Sequence, residues 1–153
     1  VANAWQAELE SDERFPPALE AFRARCAAAG QRQPTPLLLR YGTDGFNCLH
    51  RDRYGEVAFP LQVTVLLSRP ASASRAGDGD FEGGEFLLAE QLYRQQTRAE
   101  AIALARGEAI VFPKDVRPVR GARGVARAAV RHGVSRIHRG ERFALGLIFH
   151  DAR

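Results

Sequence analysis

The chain has 153 residues, of which 45% are hydrophobic, and this size and composition suit one domain with a single core. Its formal net charge is +4, which permits an acidic partner such as nucleic acid. The basic residues are all arginine except Lys114, a bias that can reflect genome composition, so charge alone does not identify such a partner. No stretch approaches the roughly 20 apolar residues of a membrane span.

The cysteine count points to a reducing compartment. Cys26 and Cys48 are too few for a disulfide framework, and no signal peptide is visible, so we expect free thiols and a cytoplasmic protein. For Cys48 a buried core thiol is favoured over a metal ligand. The chain begins with Val1 and contains no methionine, which we interpret as the mark of a longer parent protein.

The first part of the chain has a helical pattern. Helices are predicted over residues 3–10 and 17–29, and the second one is rich in alanine and ends at Gly30. Leu19, Phe22 and Cys26 form an apolar stripe that would pack on a sheet. We therefore predict an N-terminal helical support over 1–34 and a β core over 35–153, within a single compact domain.

From residue 35 onward short β-rich runs alternate with turn residues. They cover 35–41, 46–50, 59–68, 83–90, 101–105, 107–112, part of 125–138, and 142–150. This pattern predicts a mainly β fold with N-terminal helices, an antiparallel sandwich or barrel of the jelly-roll type. Residues 69–80, rich in Gly, Ser and Ala, are predicted to be a mobile loop and a candidate lid.

One short segment carries side chains that suit a metal. In an extended strand residues two apart point to the same side, so His50 and Asp52 would project together. Such a pair is two-thirds of the two-histidine, one-carboxylate face that holds non-haem Fe(II). Because a short motif also arises by chance, a surface strand that carries a His/Asp pair is the alternative.

A third ligand must come from a later histidine. His132 is followed ten residues later by Arg142, whose planar guanidinium could anchor the far carboxylate of a chelating dicarboxylate cosubstrate. His138 and His150 have no arginine at that spacing. We expect His138 to be a turn residue and His150 to be exposed near the end of the chain.

These four positions resemble a known family. His50, Asp52, His132 and Arg142 match the H-x-D…H motif and distal Arg of the Fe(II)/2-oxoglutarate-dependent oxygenases, over roughly residues 35–151. Tyr41 stands nine residues before His50, where these enzymes commonly carry an aromatic that contacts 2-oxoglutarate. The runs at 83–85 and 107–113 also resemble the F-x-G-G-E and G-D-x-x-x-F-P strands of the family.

The greatest resemblance is to a bacterial subfamily described as nucleic-acid oxygenases, proposed to demethylate DNA oxidatively. Two departures leave the substrate open. AlkB-type dealkylases end with R-x-N-x-T-x-R, whereas this chain has Ala144, Gly146 and Ile148 at the positions after Arg142. Prolyl hydroxylases usually carry a Tyr three residues before the first ligand, and here that residue is Asn47.

The resemblance implies a double-stranded β-helix, cupin-like core and an oxidoreductase. It implies that His50, Asp52 and His132 hold Fe(II), and that Arg142 and Tyr41 bind 2-oxoglutarate. Dioxygen would be the second cosubstrate and ascorbate a supporting reductant. The leading substrate is an alkylated base in single-stranded or damaged DNA or RNA, which a duplex would have to extrude.

A basic run beside the distal histidine could track a phosphate backbone. From it we select Arg117, Arg120 and Arg131, together with Asn47, as nucleic-acid candidates. The alternative is a solvated arginine-rich hairpin. The run comprises Lys114, Arg117, Arg120, Arg123, Arg127, Arg131, Arg136 and Arg139.

Other functions and local interpretations stay open. The same core could serve a protein (prolyl) or small-molecule hydroxylase, or a non-catalytic jelly-roll module that binds metal without consuming 2-oxoglutarate. Tyr41 could be a core aromatic, and the glycines at 83–84 could mark a β-bulge. Arg142 could be a surface ion-pair partner of Glu141 or Glu108.

Overall fold

The computed structural model describes residues 1–52, 54–72, 77–91, 96–122 and 124–153. Residues 73–76 of the candidate lid and Arg123 of the basic run lie outside the described residues. Among the described residues, no helix is long and apolar enough to cross a membrane.

Two short helices precede the sheets. They are α1 (Ala2–Glu8) and α2 (Leu19–Ala28), both shorter than predicted. Phe22 and Cys26 of α2 are buried as expected, but Leu19 is 50% exposed, so the predicted three-residue stripe is wrong at its first member. The buried pair packs with Phe15 against the partly buried Phe59, which leads into the first long strand of the core.

Eleven strands follow in the described parts of the chain. They are β1 (Leu37–Tyr41), β2 (Asn47–His50), β3 (Leu61–Leu66), β4 (Phe81–Gly83), β5 (Phe86–Gln91), β6 (Thr97–Ile102), β7 (Ala109–Pro113), β8 (Val116–Gly121), β9 (Gly124–Val134), β10 (Ile137–Gly140) and β11 (Arg142–Ile148).

The strands form two antiparallel sheets and a small ribbon. One sheet has the order β1-β11-β3-β7, and the other has the order β2-β9-β5-β6 with β8 also paired to β9. The ribbon joins β10 to β4. Side chains from both large sheets line one internal cavity, so the sheets face each other. The mainly β, jelly-roll fold predicted from the sequence is confirmed.

The prediction missed strands that lie at sheet edges. β8 contains Pro118, which a central strand would not tolerate, and its one partner among the described strands is β9. β6 is largely exposed and begins at Thr97, before the apolar run that was predicted. The region 125–138 divides into β9 and β10, which places His138 in a strand rather than in the predicted turn.

The N-terminal segment and the end of the chain are joined by side-chain hydrogen bonds. The buried amide of Gln31 donates to the Asp151 carbonyl oxygen at 2.6 Å and to the Val57 carbonyl oxygen at 2.8 Å. The Thr35 hydroxyl donates to the His150 carbonyl oxygen at 2.6 Å. The division of the chain at 34/35 remains a prediction.

Candidate active site

Strand pairing brings two predicted ligands together. β2 and β9 are antiparallel, and His50 lies directly opposite His132 in their register. The close approach requires a glycine next to His132, because a Cβ on Gly133 would lie 2.5 Å from the Asn47 carbonyl oxygen. The two imidazole ring centroids are therefore only 4.3 Å apart.

The carboxylate of Asp52 completes a three-residue cluster. Its Oδ1 is 3.4 Å from Nε2 of His50, and its Oδ2 is 3.3 Å from Nε2 of His132. One donor atom from each residue lies within 4.8 Å of the others. Two imidazoles and a carboxylate on one face are the donor set that suits non-haem Fe(II), with coordination positions left open.

Hydrogen bonds around the cluster orient its side chains. Nδ1 of His50 is 2.8 Å from the Cys48 carbonyl oxygen, so this nitrogen carries the proton and Nε2 keeps its lone pair for a metal. The Tyr54 hydroxyl donates to Oδ1 of Asp52 at 3.1 Å. The side chain of Cys48 is exposed, so the prediction of a core thiol there is wrong.

Electrostatics keep the carboxylate ionised. Burial alone would raise the pKa of Asp52, but the hydrogen bond and charge of His132, with the charge of His50, outweigh burial and lower that pKa. A metal ligand must be deprotonated, so the shift is in the useful direction. His132 is itself buried between aromatic rings, 4.7 Å from Phe112 and 6.0 Å from Phe86 by ring centroids.

A cavity of about 190 Å³ lies between the two sheets beside this cluster. Its lining combines the three cluster residues with apolar side chains and a few polar ones. The lining includes Tyr41, Asn47, His50, Asp52, Tyr54, Gln62, Thr64, Phe86, Phe112, His132, Arg142 and Ile148.

Arg142 stands at the start of β11 on its inner face and is only 2% exposed. Among the described residues no carboxylate pairs with it, and its Nε has no hydrogen-bond partner. Its guanidinium carbon lies 5.5 Å from the centroid of the Tyr41 ring. Burial lowers the pKa of Arg142, and the charge of Tyr41 opposes that shift. The structure therefore holds a buried cation that has no anion of the described protein beside it.

The alternative interpretation of Arg142 as a surface ion-pair residue is wrong. Glu141 pairs with Arg40 on the neighbouring strand, and the Glu108 carboxylate accepts from the Ala105 backbone N–H at 2.7 Å. Tyr41 packs against the core cluster as well as against the guanidinium, so its two sequence interpretations are compatible.

Of the paired glycines at 83–84, the second lies against Arg142. Gly84 has φ +67°, and a Cβ there would clash with Cδ1 of Ile137 and lie 2.9 Å from Cδ of Arg142. The ribbon does contain an irregularity, but the register shift falls between Ile137 and Arg139 of β10. Gly84 therefore makes room for the Arg142 side chain, whereas a Cβ on Gly83 would meet the Arg136 carbonyl oxygen.

Sequence reasoning missed three polar residues of the cavity. Tyr54 hydrogen-bonds the cluster, and Gln62 and Thr64 lie on the buried face of β3. A signal was available in LQVTVL, because strand alternation places both polar residues on the same face as Leu66. Polar side chains on the core face of a strand are informative exceptions.

His150 is fully buried, so the prediction that it is exposed is wrong. Its Nδ1 accepts from the Phe59 backbone N–H at 3.3 Å. Burial lowers its pKa to about 4; the charge of Lys114 acts the same way, while Asp52 and Asp151 oppose the shift.

Most of the described basic run is engaged by acidic residues. Arg117 pairs with the buried Glu90, Arg120 with Glu8 at 3.0 Å, Arg136 with Asp44, and Arg139 with Glu82 at 3.2 Å. Arg131 is exposed, and strand alternation places it on the side of β9 opposite to His132. Of the nucleic-acid candidates, only Asn47 lines the cavity.

Comparison with solved structures finds several similar chains, including an oxidoreductase and a prolyl-4-hydroxylase. An oxidoreductase of the 2OG-Fe(II) oxygenase family from Burkholderia pseudomallei matches with a TM-score of 0.49 and 22% identity, covering 79% of this chain and 48% of that chain. A prolyl-4-hydroxylase from Pseudomonas putida matches with a TM-score of 0.45 and 19% identity, covering 99% of this chain and 78% of that chain.

Sequence comparison finds two relatives in Mycobacterium tuberculosis, uncharacterized proteins of strains CDC 1551 and H37Rv. Each is 48% identical over 152 residues, and the match covers 99% of this chain but 62% of the relative. A family model described as an oxygenase catalysing oxidative methylation of damaged DNA matches residues 1–152. With nearly the whole chain matched, the protein belongs to this family of nucleic-acid oxygenases, as its sequence motifs predicted.

Proposed function

We propose that the protein is an Fe(II)- and 2-oxoglutarate-dependent dioxygenase that oxidatively demethylates alkylated nucleic-acid bases. The observation that carries this proposal is Arg142, a buried guanidinium without an anionic partner among the described residues, in the same cavity as His50, Asp52 and His132. An unpaired buried charge is costly, and a ligand carboxylate would remove that cost.

The residues present fit the metal. His50 and His132 would offer Nε2, and Asp52 an ionised carboxylate, as Fe(II) ligands. The hydrogen bond from His50 to the Cys48 carbonyl oxygen fixes the tautomer that this requires. Bound Fe(II) would supply the coupling of 2-oxoglutarate decarboxylation, giving succinate and carbon dioxide, to hydroxylation of a methyl C–H bond.

The protein would position the reactants and exclude water. Arg142 would orient the cosubstrate by a two-pronged hydrogen bond to its far carboxylate, with Tyr41 packed against the guanidinium. Phe86 and Phe112 cover the His132 ring, which keeps this side of the centre dry.

The size of the cavity indicates where the substrate would lie. About 190 Å³ is below the roughly 300–1,000 Å³ of typical ligand pockets, so the cosubstrate would occupy the interior and the base its mouth. The half-exposed Leu37 and Tyr54 line the cavity and reach solvent, and so mark that mouth. An extruded base could stack on an aromatic ring there. Hydroxylation of a methyl on a ring nitrogen gives a hemiaminal that releases formaldehyde, so the net change would be demethylation.

The test is succinate formation from 2-oxoglutarate with Fe(II), dioxygen and ascorbate, with and without an N-methylated single-stranded oligonucleotide. We expect oligonucleotide-stimulated turnover with formaldehyde release, lost in His50→Ala and Arg142→Ala. His138→Ala is the matched control, because it removes an exposed histidine outside the site. Turnover that the oligonucleotide does not stimulate would refute the proposal of a nucleic-acid substrate and favour a protein or small-molecule hydroxylase. Metal binding without turnover would refute the enzyme and favour a binding module.

Oligonucleotide affinity gives a second test. If exposed arginines contact phosphates, affinity should fall by about 0.7 log units per contact for each log unit of salt on a single strand. Arg131→Ala should reduce that slope by about one contact, whereas Arg120→Ala should do less because Glu8 already pairs with Arg120. Salt-independent binding would exclude a phosphate-tracking surface.

A further inference from the structure

One buried amide in the cavity belongs neither to the metal cluster nor to the Arg142 anchor. Gln62 is 3% exposed and lies on the inner face of β3. Its Nε2 has no hydrogen-bond partner among the residues that the structure describes. Buried amide donors are nearly always paired, so an unpaired one that lines a cavity calls for an acceptor from a ligand.

The strand register places Gln62 at the metal end of the cavity. On one side it lies opposite Phe112, whose ring centroid is 4.7 Å from that of His132. On the other side it lies opposite Ile148 of β11. Arg142 is six residues before Ile148 on the same strand, which is roughly 20 Å of backbone. Gln62 and Arg142 therefore serve opposite ends of whatever the cavity holds.

Two neighbouring side chains at this end do not supply a free donor. Ile148 is apolar, and Tyr54 already donates its hydroxyl hydrogen to Asp52. Gln62 is also too deeply buried to be reached from the surface by a polynucleotide. A small ligand inside the cavity with acceptor oxygens near the metal cluster is the occupant that fits its amide.

We propose that the Gln62 side-chain amide donates a hydrogen bond to the carboxylate beside the 2-oxo group of the bound cosubstrate. This inference rests on the proposed function and adds a recognition element at the metal end. Arg142 selects a second, distant carboxylate, whereas Gln62 recognises the 2-oxo acid group itself. A 2-oxo acid without a far carboxylate, such as pyruvate, would therefore use Gln62 and not Arg142.

The test measures anaerobic binding of 2-oxoglutarate and pyruvate to the Fe(II)-loaded protein, by calorimetry and by the visible charge-transfer band of 2-oxo acid chelation. Gln62→Leu should weaken both ligands by the same factor, about tenfold to a hundredfold, as expected for a lost hydrogen bond to a charged group. Arg142→Met should weaken 2-oxoglutarate alone. Gln91→Leu is the matched control, since it makes the same change at an exposed strand position outside the cavity and should change neither ligand greatly.

The outcomes separate this inference from the proposed function. Failure of the wild type to bind 2-oxoglutarate would overturn both. If the wild type binds 2-oxoglutarate and Gln62→Leu binds it equally well, only the role of Gln62 is overturned. If Gln62→Leu loses only turnover of the oligonucleotide, Gln62 would instead contact the substrate. Gln62→Asn, which keeps the amide on a shorter stem, should give an intermediate loss and serves if the leucine variant does not fold.

Discussion

Replacement of Arg142 by methionine should move protein stability and cosubstrate binding in opposite directions. The guanidinium is 2% exposed and has no ion pair among the described residues, so the unliganded protein bears a desolvation cost that no carboxylate offsets. Methionine has about the same length as the aliphatic part of the Arg142 side chain, and it is flexible enough to fill the space that the guanidinium leaves. The Arg142→Met protein without ligands should therefore be more stable than the wild type.

The magnitudes follow from the burial. Replacement of buried ionic groups by apolar ones of similar volume is neutral or stabilising by about 1–4 kcal/mol, and we expect this range for the free energy of unfolding without ligands. For binding, loss of one partner of a buried pair costs about 3–5 kcal/mol. The dissociation constant for 2-oxoglutarate should thus rise roughly 150-fold to several-thousand-fold.

The assay is urea denaturation of Fe(II)-loaded protein under anaerobic conditions, with and without 2-oxoglutarate. At a ligand concentration 100 times the wild-type dissociation constant, the wild type should gain about 2.7 kcal/mol and the variant almost nothing. Arg40→Met is the matched control. Arg40 is an exposed arginine on the neighbouring strand that pairs with Glu141, and its loss should stay within about 0.5 kcal/mol.

One combination of results would refute the reasoning. If Arg142→Met destabilised the unliganded protein by more than the control and left 2-oxoglutarate affinity unchanged, the guanidinium would be a structural element with compensation inside the protein. Arg142→Lys then gives an independent check, because lysine keeps the charge but not the two-pronged geometry, so an anchor should lose part of its affinity.

Three further predictions concern the metal, Gly84 and pH. Fe(II) at 100 times its dissociation constant should stabilise the wild type by about 2.7 kcal/mol in thermal denaturation, an effect that a chelator reverses and that Asp52→Ala abolishes. Gly84→Ala should cost about 2–5 kcal/mol of stability, because the residue has a positive φ and the added methyl group would overpack the site. Gly107 has a similar φ but open space around it, so Gly107→Ala should cost only about 1–2 kcal/mol. Equal losses in the two variants would contradict the packing argument. In the unfolded chain His150 becomes protonated below about pH 6.5, whereas in the folded protein its pKa is lowered to about 4. The free energy of unfolding of the metal-free protein should therefore be at its full value above pH 6.5 and fall by up to roughly 3 kcal/mol as the pH drops to 4. Urea titrations should show this loss reduced in His150→Phe but retained in His138→Gln.

The ligand candidates were predictable because their geometry is local or tied to a motif. His50 and Asp52 are two residues apart, and the structure brings His132 opposite His50 across one strand pair. Arg142 was found from its spacing after His132. The strand register that joins these two segments was not predictable from residue spacing alone, because it depends on the pairing of β2 with β9 and on the small residue Gly133.

The errors lie where burial depends on distant segments. The sequence predicted that His150, near the end of the chain, is exposed. In the structure it is hydrogen-bonded to Thr35 and Phe59, which are more than 90 residues away in sequence. Cys48 was predicted to be a core thiol, but the structure exposes it to solvent. The reason is that β2 is an edge strand whose register shifts between Asn47 and His50. Edge strands such as β6 and β8 need no apolar alternation, so polar sequences formed them without a recognisable signal.

The arrangement of unpaired polar atoms distinguishes a catalytic cavity from a structural one. Among the described residues, four buried side-chain nitrogens lack a partner, and two of them, Nε2 of Gln62 and Nε of Arg142, belong to residues that line the cavity without being part of the metal cluster. A sequence selected only for stability would replace such groups with apolar ones, since each unpaired donor costs about 1–3 kcal/mol. Their concentration around a His/Asp/His cluster means that the free protein is preorganised for a polar ligand and pays for it in stability. Binding of the ligand should therefore raise the free energy of unfolding by more than its interaction with any single one of these residues would.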